Sequence, residues 1–183
     1  MKAARALFGI SAVVVTPLSP LGIKLRVKKP AQVGADRVLN ALAAHERGKG
    51  AAVVIDFGTA TTFDCVSPRG DYLGGAILLG PNTAAAALHE KTAQLPLVSV
   101  RRPRRAVGKD TVECIEAGLY FGYLGMIKEV LRLSLGELGG RPRVLATGGL
   151  ARLFVNDLPR GIEVVSDLTL QGLRIAHERI SRA

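Results

Sequence analysis

The apolar positions of this chain fall in short runs punctuated by glycine and proline, and the runs alternate between two spacings. Val38, Leu39, Leu42 and Ala43 recur at helical intervals, which predicts a helix from Gly34 to Arg47 broken by Gly48 and Gly50. Residues 53–64, VVIDFGTATTFD, instead read as a buried strand that turns sharply after Asp56 and resumes at Phe63. Pro68 to Asp71 forms a hairpin turn into a further strand, Tyr72 to Leu79. Pro81 to about Gln94 is predicted helical with Asn82 or Thr83 as its cap, and Thr111 to Leu138 as a long helix. Arg143 to Ala146 is then a strand, Leu150 to Val155 a short helix, Ile162 to Val165 a strand and Thr169 to Ile180 a last helix. Near the start, Ala12 to Thr16 is expected as a strand, and Ile23 to Val27 as an edge strand, because IKLRV alternates apolar and basic residues.

Strand, glycine turn and helix therefore recur, which predicts an α/β fold. Two details of the pattern go beyond packing. Gly118, Gly122 and Gly125 lie inside the long helix, where each costs about 1 kcal/mol relative to Ala, so a neighbouring helix, from this chain or a second copy, is expected against that face. Around Gly58 the residues Asp56, Thr59, Thr61 and Thr62 bring an acid and three hydroxyls to one turn. That turn is either a plain β-hairpin or a phosphate-binding loop, in which backbone N–H groups and hydroxyls meet phosphate oxygens and Asp56 holds a charge-balancing cation. The pattern alone leaves both open. Three further polar groups sit at helix starts or turns: Gly34-Ala35-Asp36-Arg37, Gly108 to Thr111, and Thr147-Gly148-Gly149. Asp36 and Thr111 have a simpler reading as helix caps.

Composition narrows the choice of class. At 183 residues, 48% hydrophobic but only 4% aromatic, the chain has a core of Ala, Val, Leu and Ile. No apolar run reaches the roughly 20 residues of a membrane span. The opening MKAARALFGISAVVV has a basic start and an apolar stretch but no small-residue cleavage site, and it reads as a short helix followed by a strand. Cys65 and Cys114 lie outside any CxxC or Cys/His spacing and are expected as buried thiols in a reducing, cytoplasmic setting. The formal charge of +10 raises nucleic acid as a partner. The run Arg101, Arg102, Arg104, Arg105 has no interleaved aromatic residue to stack bases, which argues for a solvated basic loop and against nucleic acid.

The motifs taken in order carry more information than any one of them. GADRVLNALAA, VVIDFGTATTFD, YLGGAI, AQLP, GKDT, EAGLYFGYLGMI, ATGGLA and LTLQGL together resemble the type III pantothenate kinases, of the acetate and sugar kinase, Hsp70 and actin superfamily, from about Val14 to Leu173. The resemblance implies ribonuclease-H-like, actin-like lobes: residues 1–48 as the remaining C-terminal part of an incomplete first lobe, and residues 49–183 as an intact second lobe. It implies transfer of phosphate from ATP to pantothenate, at the first step of coenzyme A synthesis, by a homodimer that uses potassium or ammonium together with magnesium. By the same resemblance Asp36 matches the general base, and Gly34, Ala35, Arg37 and Thr111 match substrate-binding positions. Asp56 matches the monovalent-cation ligand, Gly58 and Thr59 the ATP-phosphate contact, and Thr147, Gly148 and Gly149 the adenosine side.

The family's first phosphate loop, Asp-x-Gly-Asn-Thr, is expected upstream of the region matching Met1. Val27 stands where many members have a tyrosine, and Leu79 where a proline is usual. The loop's absence from these residues keeps two alternatives in view: a non-catalytic accessory or regulatory protein of the same fold, and one half of a split kinase.

Overall fold

In the computed structural model, residues 11–182 are described together with residues 6, 7 and 9. One five-stranded sheet organises them, in the order β3-β2-β1-β4-β5. Strands β1 (Ala52–Phe57), β2 (Ala60–Val66) and β3 (Tyr72–Leu79) form an antiparallel meander, and β4 (Arg143–Thr147) and β5 (Ile162–Val164) extend it in parallel with β1. Val53, Ile55 and Phe57 point to one face and Ala52, Val54 and Asp56 to the other, as the two-residue period of a strand requires.

Each face has its own cover. On one, α1 (Ala35–Arg47) and α6 (Leu168–Ile180) lie over the sheet, and Ala41, Ala43 and Ala44 pack against Val54, Val66, Tyr72 and Leu168. Small side chains let α1 approach closely. Gly172 of α6 sits so near that a Cβ would lie 2.2 Å from the Leu39 carbonyl oxygen. The helix is also tied at its end, where the Arg143 guanidinium donates to the carbonyls of Ala44 and Gly48 and so satisfies acceptors that the last turn leaves open. The other face carries α3 (Thr111–Ala117) and α4 (Tyr123–Leu138), with Phe154 stacked between Phe57 and Tyr120 and Tyr123 packed against it at a tilt. Two further α-helices are α2 (Pro81–Lys91) after β3 and α5 (Ala151–Phe154) after β4.

Several expectations change. Residues 12–16 are not a strand, and no described strand lies alongside to supply a ladder. Residues 23–27 pair with the sheet only through one parallel bridge, Leu25 to Tyr72, while Ile23, Leu25 and Val27 contribute apolar contacts beneath α1. The long helix is interrupted by a π-helical stretch at Gly118–Gly122, where two glycines and two aromatics widen one turn. The three glycines are exposed, and a Cβ added to any of them would meet nothing within 4 Å, so no helix among the described residues lies against them. Cys65 is partly buried as expected, but Cys114 is exposed on α3. In the basic run, Arg101 pairs with Glu116 at 2.8 Å and Arg102 with Asp157 at 2.7 Å, so two of the four arginines are bound to acids. The opening residues 1–5, 8 and 10, part of the expected first helix, lie outside the described ones.

Candidate functional site

The C-terminal ends of β1 and β4 lie side by side, with Asp56 opposite Thr147. Both strands end in glycine turns that fold against each other. Gly148 has φ +90°, and a Cβ there would lie 2.7 Å from both Asp56 Oδ1 and the Phe57 backbone. Only glycine fits that conformation and that gap. The second turn is locked from the far side: Gly80 N–H donates to the Thr59 carbonyl at 3.1 Å, and Thr83 Oγ1 donates to the same oxygen at 2.7 Å. Between the turns opens a cleft of about 450 Å³ lined by Phe57, Gly58, Thr59, Asn82, Thr83, Gly149 and Leu150. Three expected site residues, Gly58, Thr59 and Gly149, therefore meet there. Asn82 and Thr83 join them for a different reason from the one their sequence suggested. Gly80 is the N-cap of α2, so Asn82 and Thr83 fall in its first turn, whose N–H groups and positive dipole end suit an anion.

The hydroxyl cluster around Gly58 is only partly available to a ligand. Thr59 is exposed, but Thr61 is fully buried and shares a hydrogen bond with the Tyr123 hydroxyl. Thr62 donates to Asp64 at 3.2 Å. Alternation along β2 sends these two side chains to opposite faces, away from the turn.

On the α1 face, a carboxylate pair stands at the tip of β1. Asp36 lies in the first turn of α1, whose N-cap is Gly34, and not at the cap itself. A Cβ on Gly34 would fall 2.3 Å from Asp36 Oδ1, so the glycine leaves space for that carboxylate. Ala35 opens the helix beside it. Asp56 is half-buried, and its pKa is raised by burial and by the negative charge of Asp36, with Asn40 opposing. Asn40 Nδ2 donates to Asp56 Oδ2 at 3.0 Å, and Asn40 Oδ1 accepts from Thr169 Oγ1 at 2.7 Å. Asn40 was not singled out from the sequence, although its signal was there: one polar residue on the buried stripe of VLNALAA. Beside the pair, Ile77 and Leu79 of β3 are exposed.

Arg37 turns into the structure. Its Nε donates to the buried Asp64 at 2.7 Å. Thr111 stands elsewhere, exposed at the first position of α3. Asp110 is the cap there, accepting from Glu113 N at 2.8 Å, and Thr111 makes no hydrogen bond to the Asp36 and Asp56 pair. Thr147 is buried beneath the turn that Gly148 and Gly149 form. Among the described residues no three His, Cys, Asp or Glu side chains gather as a metal site.

A mixed α/β sheet flanked by helices, with a glycine-lined cleft at the ends of β1 and β4 and a carboxylate pair where α1 meets β1, fits a kinase-type fold. The comparisons with known proteins specify which. The family model for type III pantothenate kinase matches residues 1–133. Type III pantothenate kinases of Rhodospirillum rubrum and Desulfatibacillum aliphaticivorans are 48% and 47% identical over 91% and 89% of this chain. The chain belongs to the type III pantothenate kinase family. It spans 65% and 64% of the length of those two relatives. A solved structure from Campylobacter jejuni, described as a conserved Baf family transcriptional activator, shares the fold at a TM-score of 0.57 and 19% identity, covering 91% of this chain and 73% of that one.

Proposed function

We propose that this protein phosphorylates pantothenate with ATP, giving 4'-phosphopantothenate, the first step of coenzyme A biosynthesis. The observation that carries the reading is the glycine-lined cleft at the ends of β1 and β4 with Asp56 at its edge, and Asp36 near enough at the start of α1 for its charge to act on Asp56. Phosphoryl transfer asks chiefly for positioning and charge neutralisation, and this arrangement offers an anion cradle on one side of the strand tip and a base on the other. The strand order, a three-stranded meander extended by two parallel strands, supports a ribonuclease-H-like lobe. In this reading residues 1–48 belong to the first lobe and residues 49–183 to the second, with α1 packed onto the second lobe's sheet.

Asp36 is the general base. A carboxylate is a weak base towards an alcohol, so it takes the hydroxyl proton late, as the oxygen bonds to phosphorus. Gly34, Ala35 and Arg37 bind the acceptor; Thr111, which stands apart from them within one chain, would join them only from a second copy. Gly58 and Thr59 contact the ATP phosphates, and the Thr147-Gly148-Gly149 turn faces the adenosine.

The donor set at Asp56 fits a singly charged cation. One carboxylate oxygen is taken by Asn40 and the other faces the gap that Gly148 leaves open, with one like charge, Asp36, acting on it. Potassium or ammonium held there would offset phosphate charge. Magnesium, which commonly arrives with several waters and substrate phosphates, has no cluster of side chains of its own among the described residues.

A homodimer accounts for the exposed Gly118, Gly122 and Gly125, flanked by exposed Phe121 and Met126. No helix among the described residues is long and apolar enough to cross a membrane, and a cytoplasmic setting suits the chemistry. The test is mass-spectrometric detection of 4'-phosphopantothenate from ATP and pantothenate, with the protein of the full reading frame, in potassium and in sodium buffers. Absence of product in both overturns the reading.

A further inference from the structure

Arg37 and Asp64 form an ion pair that the proton transfer proposed for Asp36 does not require. Arg37 Nε donates to Asp64 Oδ1 at 2.7 Å, and Arg37 Nη2 donates to the Phe63 carbonyl at 2.9 Å. Asp64 is fully buried, while 13% of the Arg37 side chain remains exposed. The other lone pairs of Asp64 are occupied by Thr62 Oγ1 at 3.2 Å and the Tyr72 hydroxyl at 3.3 Å. The guanidinium also lies over the Tyr72 ring, 5.7 Å from its centre. Gly75 makes room for this arrangement, because a Cβ there would lie 1.8 Å from the Phe63 carbonyl oxygen and 3.4 Å from Arg37 Nη2.

Such a network fixes the plane of the guanidinium from one side. Of its five N–H donors two are used, and the other three have no partner among the described residues. Arg37 follows Asp36 directly in the first turn of α1, and its side chain is not wholly buried, which leaves the acceptor that the proposed function assigns to this stretch a route to the unused donors. A buried ion pair adds little net stability over well-packed apolar residues, whereas it sets the orientation of a planar, forked donor closely.

We infer that Asp64 is a positioning residue for the phosphoryl acceptor: through Nε it holds Arg37 so that the free guanidinium donors receive an anionic group of the acceptor, a carboxylate in the hydroxy acid that the proposed function requires. The inference rests on that function for the identity of the acceptor. Thr62, Tyr72 and Gly75 serve the same purpose by completing the seat of Asp64 and clearing the Phe63 carbonyl.

The test compares full-length wild-type protein with Asp64→Asn, Arg37→Lys, the double variant and Tyr72→Phe. Asp64→Asn is expected to raise KM for pantothenate about tenfold, with kcat and KM for ATP within about twofold, the signature of lost acceptor binding. The double variant should be no worse than Arg37→Lys alone, since both changes disable one unit. Tyr72→Phe, which removes one hydrogen bond to Asp64 and keeps the ring, should show the same split at about two- to threefold. Nitrogen-15 spectra supply a readout independent of turnover: the Arg37 Nε–H signal should be sharp in wild type, shift on adding pantothenate, and broaden in Asp64→Asn. A shift in an inactive wild-type protein would retain the positioning role and reject the kinase reading. An active wild type in which Asp64→Asn and Tyr72→Phe leave the pantothenate KM unchanged, and pantothenate leaves the Arg37 signal in place, overturns the inference.

Discussion

Asn40 on helix α1 donates its Nδ2 hydrogen to Oδ2 of Asp56 at the tip of β1, at 3.0 Å, and so fixes which oxygen of that carboxylate is left for a ligand. The same amide accepts from Thr169 of α6, so one buried side chain ties two helices to the strand that carries the proposed cation ligand. Replacing Asn40 with Ala leaves two partly buried polar groups without their partner. The expected loss is about 1–3 kcal/mol of stability, measured by urea denaturation, together with a weaker potassium dependence of activity.

Gly148→Ala places a methyl group 2.7 Å from Asp56 Oδ1, in a left-handed backbone conformation that alanine resists. Strain of this kind costs about 1–3 kcal/mol. The turn must move away from β1, so activity should fall by at least tenfold while circular dichroism retains the fold's secondary structure.

The exposed glycine stripe separates helix propensity from association. The methyl group of Gly122→Ala meets nothing within 4 Å among the described residues, and a Gly to Ala change within a helix gains up to about 1 kcal/mol. An isolated chain should therefore gain thermal stability or stay level. Gly122→Leu should convert a dimer to monomer in sedimentation velocity, because the bulkier side chain stands where the second copy approaches. An unchanged sedimentation coefficient would move the interface elsewhere.

Asp64 provides a pH signature. Burial, opposed by Arg37, raises its pKa from 3.8 to about 6. Between those values the folded protein keeps a proton that the unfolded chain has released, so the contribution of Asp64 to stability is complete below about pH 4 and lost as pH rises through about 6. Asp64→Asn, which does not titrate, lacks this slope. The stability of wild type relative to this variant should decline with pH across that window, at a rate on the order of 1 kcal/mol per pH unit. Urea denaturation of both proteins between pH 4 and 7 measures it.

The two thiols should differ in reactivity. Cys114 is exposed on α3, whereas Cys65 is half-buried with its pKa raised by burial. At pH 8 a thiol reagent should modify Cys114 quickly and Cys65 slowly.

The regular elements of the fold were readable because their causes are local. Helix α1 follows from the apolar spacing of Val38, Leu39 and Leu42, and the β1 turn from the glycine after Asp56. What was misread depended on neighbours. Val13 and Val14 suit a strand, but no described strand lies alongside residues 12–16. Thr61 and Thr62 look like phosphate ligands in the sequence, yet strand alternation and the partners Tyr123 and Asp64 take both hydroxyls. Cys114 sits among apolar residues in the chain but on the outer side of a short helix. At the site, Asp36 and Asp56 were recognisable through the family resemblance, whereas Asn40 and Asp64 acquire meaning only once α1 is laid across β1 and β2.

Arg143, the first residue of β4, grips the last carbonyls of α1, while Asn40 holds the helix at its middle and Gly172 admits α6 against it. Helix and strands are thereby one cooperative block, with no seam along which a segment could open separately. Amide hydrogens of residues 38–44 and 52–57 should consequently exchange with solvent only when the whole domain unfolds, and those of the exposed Gly58 and Thr59 far sooner. The slow part of the molecule carries Asp56 and Asn40, and the fast part is the turn that the proposed function gives to the nucleotide, so adjustments at that turn would leave the hold of α1 on β1 undisturbed.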